Sequence, residues 1–404
     1  MPSRRIAQGR HSIGFWALAL ACALLTGCGL PYYTQAVGGE WAIMRHERPI
    51  KTVLREPGVA PAIKERLRYV ARLRRFARRD LSLPVGGNYR EYADLHRPYV
   101  VWNVFAARPF TLRLKRWCFP FAGCVAYRGY FAKRAAVRYA DHLRRAGYEV
   151  FVGGVPAFAT LGYLDDPVLS TFLDYPHTTI AHIIFHELAH DLIYIPNATT
   201  FDESFADTVA AVGVARFLKR YGTAAQWRAY QRRRRWHREV IALMTACRRR
   251  LARIYHDPTL DAAQRGVEKR QAYRALHQGF MALVAHWHGS HGYRAFFRQH
   301  FNNALLGAYM SYEGLVPAFE RLLRLEDGNL PAFFRAVRWY GRLPDALRDG
   351  ALRSRSGLVE RLPALYETQR RAPTERRRHA LVRPQGAGLA GTIQNRPHDE
   401  TQPF

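Results

Sequence analysis

Residues 179–218 read TIAHIIFHELAHDLIYIPNATTFDESFADTVAAVGVARFL, and both the fold and the chemistry of the chain turn on them. They contain His186-Glu187-Leu188-Ala189-His190, an H-E-x-x-H. Residues four apart on a helix share one face, one turn above the other, so His186 and His190 can present ring nitrogens to one ion. Glu187 points slightly off that face and can reach a water on the same ion. These are the parts of a hydrolytic zinc site. The ion lowers the pKa of bound water to about 7, and the glutamate takes the proton and later passes it to the leaving group. The flanks are apolar: Ile180, Ile183, Ile184 and Phe185 before Glu187, Leu188, Leu192 and Ile193 after it. The spacing therefore predicts a buried helix, whose polar residues need partners or an ion. The other reading of the two histidines is a pair of core residues bonded to backbone carbonyls.

A catalytic zinc of this kind takes a third protein ligand. Glu203 follows His190 in Phe201-Asp202-Glu203-Ser204-Phe205-Ala206-Asp207, at the head of an apolar run from Phe205 to Leu218 that reads as a second helix. If the two helices pack together, Glu203 faces the histidines. Asp207, one turn on, can then accept the other ring N–H of a ligand histidine. Two local readings compete. Thr200-Phe201-Asp202-Glu203 fits a capping box, which would tie Glu203 to the helix start, and Asp202 is itself a candidate ligand. The metzincin pattern is excluded, because the Gly and His it needs three and six residues past His190 are Ile193 and Pro196. His182 extends the four-residue spacing, but about 12 Å separates it from His190 at 1.5 Å per residue, too far for one ion. It is expected to lie buried or behind the site.

H-E-L-A-H followed by E-S-F-A-D resembles the gluzincin metallopeptidases, with a shorter spacing from His190 to Glu203 than in the thermolysin-like or aminopeptidase N-like enzymes. The chain is more similar to a family of predicted bacterial lipoprotein aminopeptidases. The segments that carry this include Pro31-Tyr32-Tyr33, Tyr89-Arg90-Glu91-Tyr92, Val101-Trp102-Asn103-Val104, Trp117-Cys118-Phe119-Pro120, Gly123-Cys124-Val125 and Asp166-Pro167-Val168. The resemblance implies a zincin-like core, one Zn²⁺ per chain on His186, His190 and Glu203, Glu187 as the base, and a peptide substrate. Gluzincins commonly add a Tyr or His to steady the tetrahedral intermediate; Tyr194, Tyr309, Tyr312 and His291 are the candidates. An aminopeptidase also needs an acidic group for the free amine, with Glu149, Asp165 and Asp166 as candidates. In zincins an edge strand before the metal helix pairs with substrate, and Gly153 to Tyr163 is the segment so placed.

The 404 residues, 48% hydrophobic and 13% aromatic, can bury one large core or two coupled ones. The net charge of +30 is carried largely by arginine runs such as Arg232–Arg235 and Arg248–Arg250. Such runs are solvated helix faces or an attraction to an anionic membrane surface. Nucleic acid, the usual partner of a basic protein, is not expected, because the N-terminus reads as an export signal. Arg4, Arg5 and Arg10 precede an apolar stretch too short to span a bilayer. Leu25-Thr26-Gly27-Cys28 resembles a lipobox, so Cys28 is the expected lipidation site of a protein anchored in the cell envelope, at the outer membrane facing the periplasm. In that oxidising compartment Cys118 and Cys124 are expected to pair, with a zinc pair as the alternative, while Cys247 has no evident mate. A rival function is a non-catalytic envelope lipoprotein holding peptidoglycan or lipopolysaccharide on its basic surface.

The expected fold class is α+β and α-rich, with a small β-sheet and a large helical C-terminal part. Expected boundaries are a signal at 1–27, a core at 28–225, a helical domain at 226–370 and a disordered tail at 371–404. Helices are expected over Tyr33–Arg45, Ala62–Asp80, Ala132–Ala146 and, after Leu218, over Gln226–Tyr255, Leu260–Gly289, Tyr293–Leu305, Val316–Leu325 and Leu330–Tyr340. Strands are expected over Tyr99–Ala106, Phe110–Leu114 and Glu149–Gly153, and a polar connection over Asn88–Leu95. Oligomeric state is not legible.

Overall fold

The computed structural model describes residues 30–119, 123–288 and 293–353. Its contacts divide the chain into two units, parting after His46. In the first, helix α1 (Leu30–Met44) is apolar along most of its length and leaves Val37, Trp41 and Met44 exposed. The Arg45 guanidinium lies over the Trp41 ring at 4.6 Å. The expected signal at 1–27, the lipidation site Cys28 and the tail at 371–404 lie outside the described residues.

The second unit, from Glu47, is organised on helices α6 (His177–Leu192) and α7 (Thr199–Tyr221), which make the most extensive contact between elements among the described residues. Every α6 residue from Ile180 to His190 is buried. A helix apolar on all faces must be enclosed on all faces, and the rest of the unit does this. Gly213 on α7 permits the closest approach: a Cβ there would meet Phe185 at 2.6 Å and Leu81 at 2.8 Å.

Before α6 come β1 (Glu47–Pro49), α2 (Ile50–Val53), α3 (Pro61–Asp80), β2 (Glu91–Ala93), β3 (Val101–Ala107), β4 (Trp117–Phe119), β5 (Gly123–Val125), β6 (Arg128–Tyr130), α4 (Lys133–Arg145), β7 (Glu149–Val155), β8 (Val168–Leu169) and α5 (Ser170–Leu173). The strands form three small sheets. The order β1-β2-β8 joins an antiparallel to a parallel pair, β6-β3-β7 is antiparallel, and β4 pairs with β5. β3 is the longest-paired strand, from Val101↔Val155 to Ala107↔Glu149, and α4 covers it with Ala136, Ala140 and Leu143 turned inward.

After α7 the chain is helical: α8 (Ala224–His256), α9 (Ala262–His286), α10 (Arg294–Phe297), α11 (Asn303–Glu313), α12 (Val316–Leu325), α13 (Leu330–Gly341) and α14 (Asp345–Arg353). Thr223 and Asp261 start α8 and α9 with capping boxes closed by Gln226 and Gln264. Val240, Met244, Cys247 and Leu251 of α8 share one core with Leu276 and Phe280 of α9. α11 packs on α7 and also on β3 and β7, so helical packing continues across the boundary expected at residue 225.

The architecture is α+β and helix-rich, as expected. The differences are local. Phe110–Leu114 is not a strand; Leu114 forms a single bridge to Ala107. The polar connection 88–95 contains β2. Tyr293–Leu305 is two helices, because Asn302 caps α11 with its side chain on the Leu305 N–H at 2.9 Å. Cys118 and Cys124 form a disulfide across β4 and β5, so the zinc pair falls away. Gly154 leaves room for the Tyr99 ring, which a Cβ would meet at 2.3 Å. Its missing side chain thus serves internal packing, and β7, which carries it, is an edge strand of its sheet.

Candidate active site

The Pro176 carbonyl starts α6, accepting from the Thr179 and Ile180 N–H groups, and the chain leaves the helix at Ile193 in an extended conformation. The loop from Ile193 to Ala198 then turns back into α7. Asn197 takes a left-handed φ of +74°, which asparagine tolerates. Its Oδ1 accepts the Cys124 N–H at 2.7 Å, and its backbone carbonyl accepts from Arg116 at 2.8 Å. The disulfide-closed strand pair is thereby fastened to the loop joining the two central helices.

Three side-chain atoms meet where α6 and α7 face each other. His186 Nε2 and His190 Nε2 are 3.1 Å apart, and Glu203 Oε2 lies 3.3 Å from the first and 3.5 Å from the second. His186, Glu187, His190 and Glu203 are all at least 96% buried. Ala198 at the start of α7 makes no side-chain cap, so Glu203 is not tied up in a capping box. Asp202 is outside the triangle: its Oδ1 accepts the Ile195 N–H at 2.9 Å, and burial pushes its carboxyl well above the ordinary range.

The electrostatics follow from one carboxylate oxygen serving two rings. Burial lowers the pKa of His186, and the Glu203 contact only partly offsets this. For His190 burial acts in the same direction, but the bond to Glu203 outweighs it and the net shift is upward. Burial would raise Glu203; its two imidazole partners more than cancel that and hold it low.

Asp207 does not take the position expected of it. It pairs with His182, Oδ1 to Nε2 at 2.8 Å, while Nδ1 of His186 and of His190 has no hydrogen-bond partner. The geometry is one of reach: Asp207 lies one turn past Glu203 on α7, opposite the α6 turn that precedes His186. Burial would raise the Asp207 carboxyl, and the His182 ring beside it holds it far below the usual range instead. The His182 ring in turn stacks on His186 with centroids 6.1 Å apart. His182, His186 and Asp207 form a second group whose donor atoms lie within 4.8 Å of one another.

A small, partly open pocket adjoins the triangle. His190, Asp202 and Glu203 line it on the helical side, with Tyr194 and Thr199 from the connecting turn. Val125 and Tyr127 from the disulfide hairpin and its extension close another side, and Leu161 closes a third. Leu161 has a φ of +55°, unusual for a branched side chain, and is the member of the 153–163 segment that reaches the pocket. Tyr312 stacks on His186 at 6.3 Å between centroids. The Ser204 hydroxyl donates to the Tyr312 carbonyl at 2.8 Å, which holds the end of α11 against α7. Tyr309 packs on Phe296 at 4.2 Å in the helical core, away from the triangle. His291 lies outside the described residues.

The connection 88–95 supplies residues that sequence reasoning passed over. Asn88 donates from Nδ2 to Asp191 Oδ2 at 2.7 Å and accepts the Asp166 N–H at 2.7 Å, bracing the end of α6. Burial, opposed by the Asn88 bond, pushes the Asp191 carboxyl up to about 6. Tyr89, fully buried, has a φ of +60°, and its hydroxyl pKa is raised by burial and then by the Glu187 charge. An aromatic residue in left-handed backbone was the available sign, and it is not visible without coordinates.

Residues 31–352 match the model of a protein family described as "Putative aminopeptidase". The chain belongs to that family. Searches of curated proteins and of solved structures return no match. Membership supports peptide hydrolysis as the class of activity.

Proposed function

We propose that the chain is a zinc-dependent peptidase that acts on the amino ends of peptides, with His186, His190 and Glu203 as metal ligands and Glu187 as general base. The observation that carries this is the ligand triangle. An ion bound tetrahedrally at the usual Zn–N and Zn–O distances separates its ligand atoms by roughly 3.3–3.6 Å; here the three separations are 3.1, 3.3 and 3.5 Å. Glu203 Oε2 is buried between the two rings, as befits an atom meant for a cation. The residues therefore fit the metal.

Bound zinc supplies a Lewis acid for the scissile carbonyl and acidifies a water. Glu187, buried on the same turn as His186, receives the proton of that water and passes it to the departing nitrogen. Tight enclosure of α6 keeps the two histidines in register, and the pocket walls limit competing solvent. The Asp207–His182 pair stands behind His186 and fixes the ring on which it stacks. An envelope location with a lipid on Cys28, supported by the lipobox-like Leu25-Thr26-Gly27-Cys28, and a peptide substrate, supported by family membership, complete the proposal.

The test pairs metal content with cleavage of a mixed peptide library by wild type and Glu187→Gln. One zinc per chain in both proteins, with cleavage in the wild type alone, supports the proposal. Zinc without cleavage in either returns the chain to a binding role, and absence of zinc removes the site.

A further inference from the structure

Asp202 takes no part in the ligand triangle, yet it lines the same pocket as His190 and Glu203. It is 2% exposed. One of its oxygens is in use, Oδ1 accepting the Ile195 N–H at 2.9 Å. The other, Oδ2, is buried without a hydrogen-bond partner. Arg348 acts on it through charge, but that guanidinium is bonded to Asp345 at 2.9 Å and Asp349 at 3.4 Å and lies over the Phe201 ring. A buried carboxylate oxygen with no donor is unfavourable. A ligand that brings N–H groups and a positive charge relieves it.

A peptide's free α-ammonium brings both, on a group small enough for this pocket. The α-nitrogen and the first carbonyl carbon of a peptide are two bonds apart, so an amine held beside the triangle leaves the first peptide bond close to His190 and Glu203. The other acidic candidates are committed elsewhere. Glu149 is paired with Lys269 and accepts the Asn303 N–H at 2.8 Å. Asp166 accepts the Thr160 N–H at 3.1 Å with both oxygens. Asp165 is exposed and accepts from Gly87 at 3.0 Å.

We propose that Asp202 receives the free α-ammonium of the substrate and so sets cleavage at the first peptide bond. The inference rests on the peptidase reading and adds its specificity to it. Asp202 also sits in the first turn of α7, where the helix end favours negative charge.

The test measures binding separately from hydrolysis. Calorimetry on the zinc-loaded Glu187→Gln protein compares tripeptides X-Ala-Ala, with X as Ala, Leu, Phe or Lys, against their N-acetyl forms. Acetylation is expected to weaken binding roughly 10- to 100-fold, the range for a hydrogen bond to a charged group. In Glu187→Gln carrying Asp202→Asn as well, the preference disappears. Equal binding of free and acetylated peptides by the Glu187→Gln protein overturns the proposal, as does a preference that survives Asp202→Asn in a folded protein, or no binding of any peptide. The acetylation comparison needs no change at Asp202, so it decides even if Asp202→Asn fails to fold. Amine-dependent binding without turnover by the wild type sinks the peptidase reading and leaves the amine site standing.

Discussion

Two helix pairs dominate the described chain, and they are built on opposite plans. α6 and α7 are buried on nearly every side, and at their contact they place three histidines, two glutamates and two aspartates among Phe, Ile and Ala. α8 and α9 are longer and turn inward only one apolar stripe, Val240, Met244, Leu251, Leu276 and Phe280, while Arg232, Arg235, Arg238, Arg249 and Arg253 face solvent. The second plan is that of a stabilising wall. The first gives up stability by burying polar atoms without partners, and such an arrangement persists when the surrounding fold is strong enough to hold it and a ligand repays it. On the proposed function, the chemistry falls to the first pair and the support to the second.

The sharpest way to break that division is Glu187→Gln. We expect peptide turnover to fall about 10²- to 10⁴-fold, the weight of a general base, with zinc content and thermal unfolding unchanged; a variant that still cleaves would move the base elsewhere. Phe280→Ala tests the other side. It should remove about 3–5 kcal/mol of stability in a denaturant titration while kcat of the folded fraction stays the same. A loss of kcat there would make the wall part of the site. Removing metal with a chelator should lower stability by about 3–4 kcal/mol relative to protein at a roughly hundred- to thousandfold excess of zinc over its Kd, read as a shift in Tm that zinc restores. A chelated protein of unchanged Tm would contradict the ligand triangle. Asp207→Asn should weaken zinc binding about 10- to 100-fold by releasing His182 and, through it, His186; an unchanged affinity in a competition titration would reduce the pair to packing. The smallest effect concerns Cys247. Burial pushes its thiol up to about 12, so at pH 8 it should resist iodoacetamide in the native protein and react promptly in denaturant; rapid native alkylation would show that the α8–α9 interior opens.

How much of this could be read beforehand follows from the range of the interactions. H-E-x-x-H and the run from Phe205 are local patterns of 3.6-residue period, and the helices they specify lie within a few residues of expectation. Glu203 was legible because it needed only one packing step between neighbouring helices. The register was not legible: a one-turn difference in which α6 histidine meets Asp207 gave it to His182. β1, β2, β4, β5 and β8 are two or three residues long, too short for alternation to declare itself, and their pairing depends on distant partners. Phe110–Leu114 has strand composition, yet β3 already pairs with β6 and β7 and offers Leu114 one bridge. Asn88 and Tyr89 looked like connection because their partners, Asp191 and Glu187, stand about a hundred residues away. Asp202 was read as a rival ligand; its separate place emerges once Ile195 is seen to occupy one oxygen.

The fastening of Asn197 to Arg116 and Cys124 has a consequence for anyone who would transplant this site. The loop between the helices that carry His186, His190 and Glu203 is gauged from outside, by the strand pair that bonds to Asn197. Copying His186, Glu187, His190 and Glu203 into another pair of helices would carry over the alphabet without the ruler. The distance between helices, and with it the size of the triangle, would then be whatever the new host allowed. The least portable part of the site is a short cross-linked hairpin that touches none of its ligands in sequence.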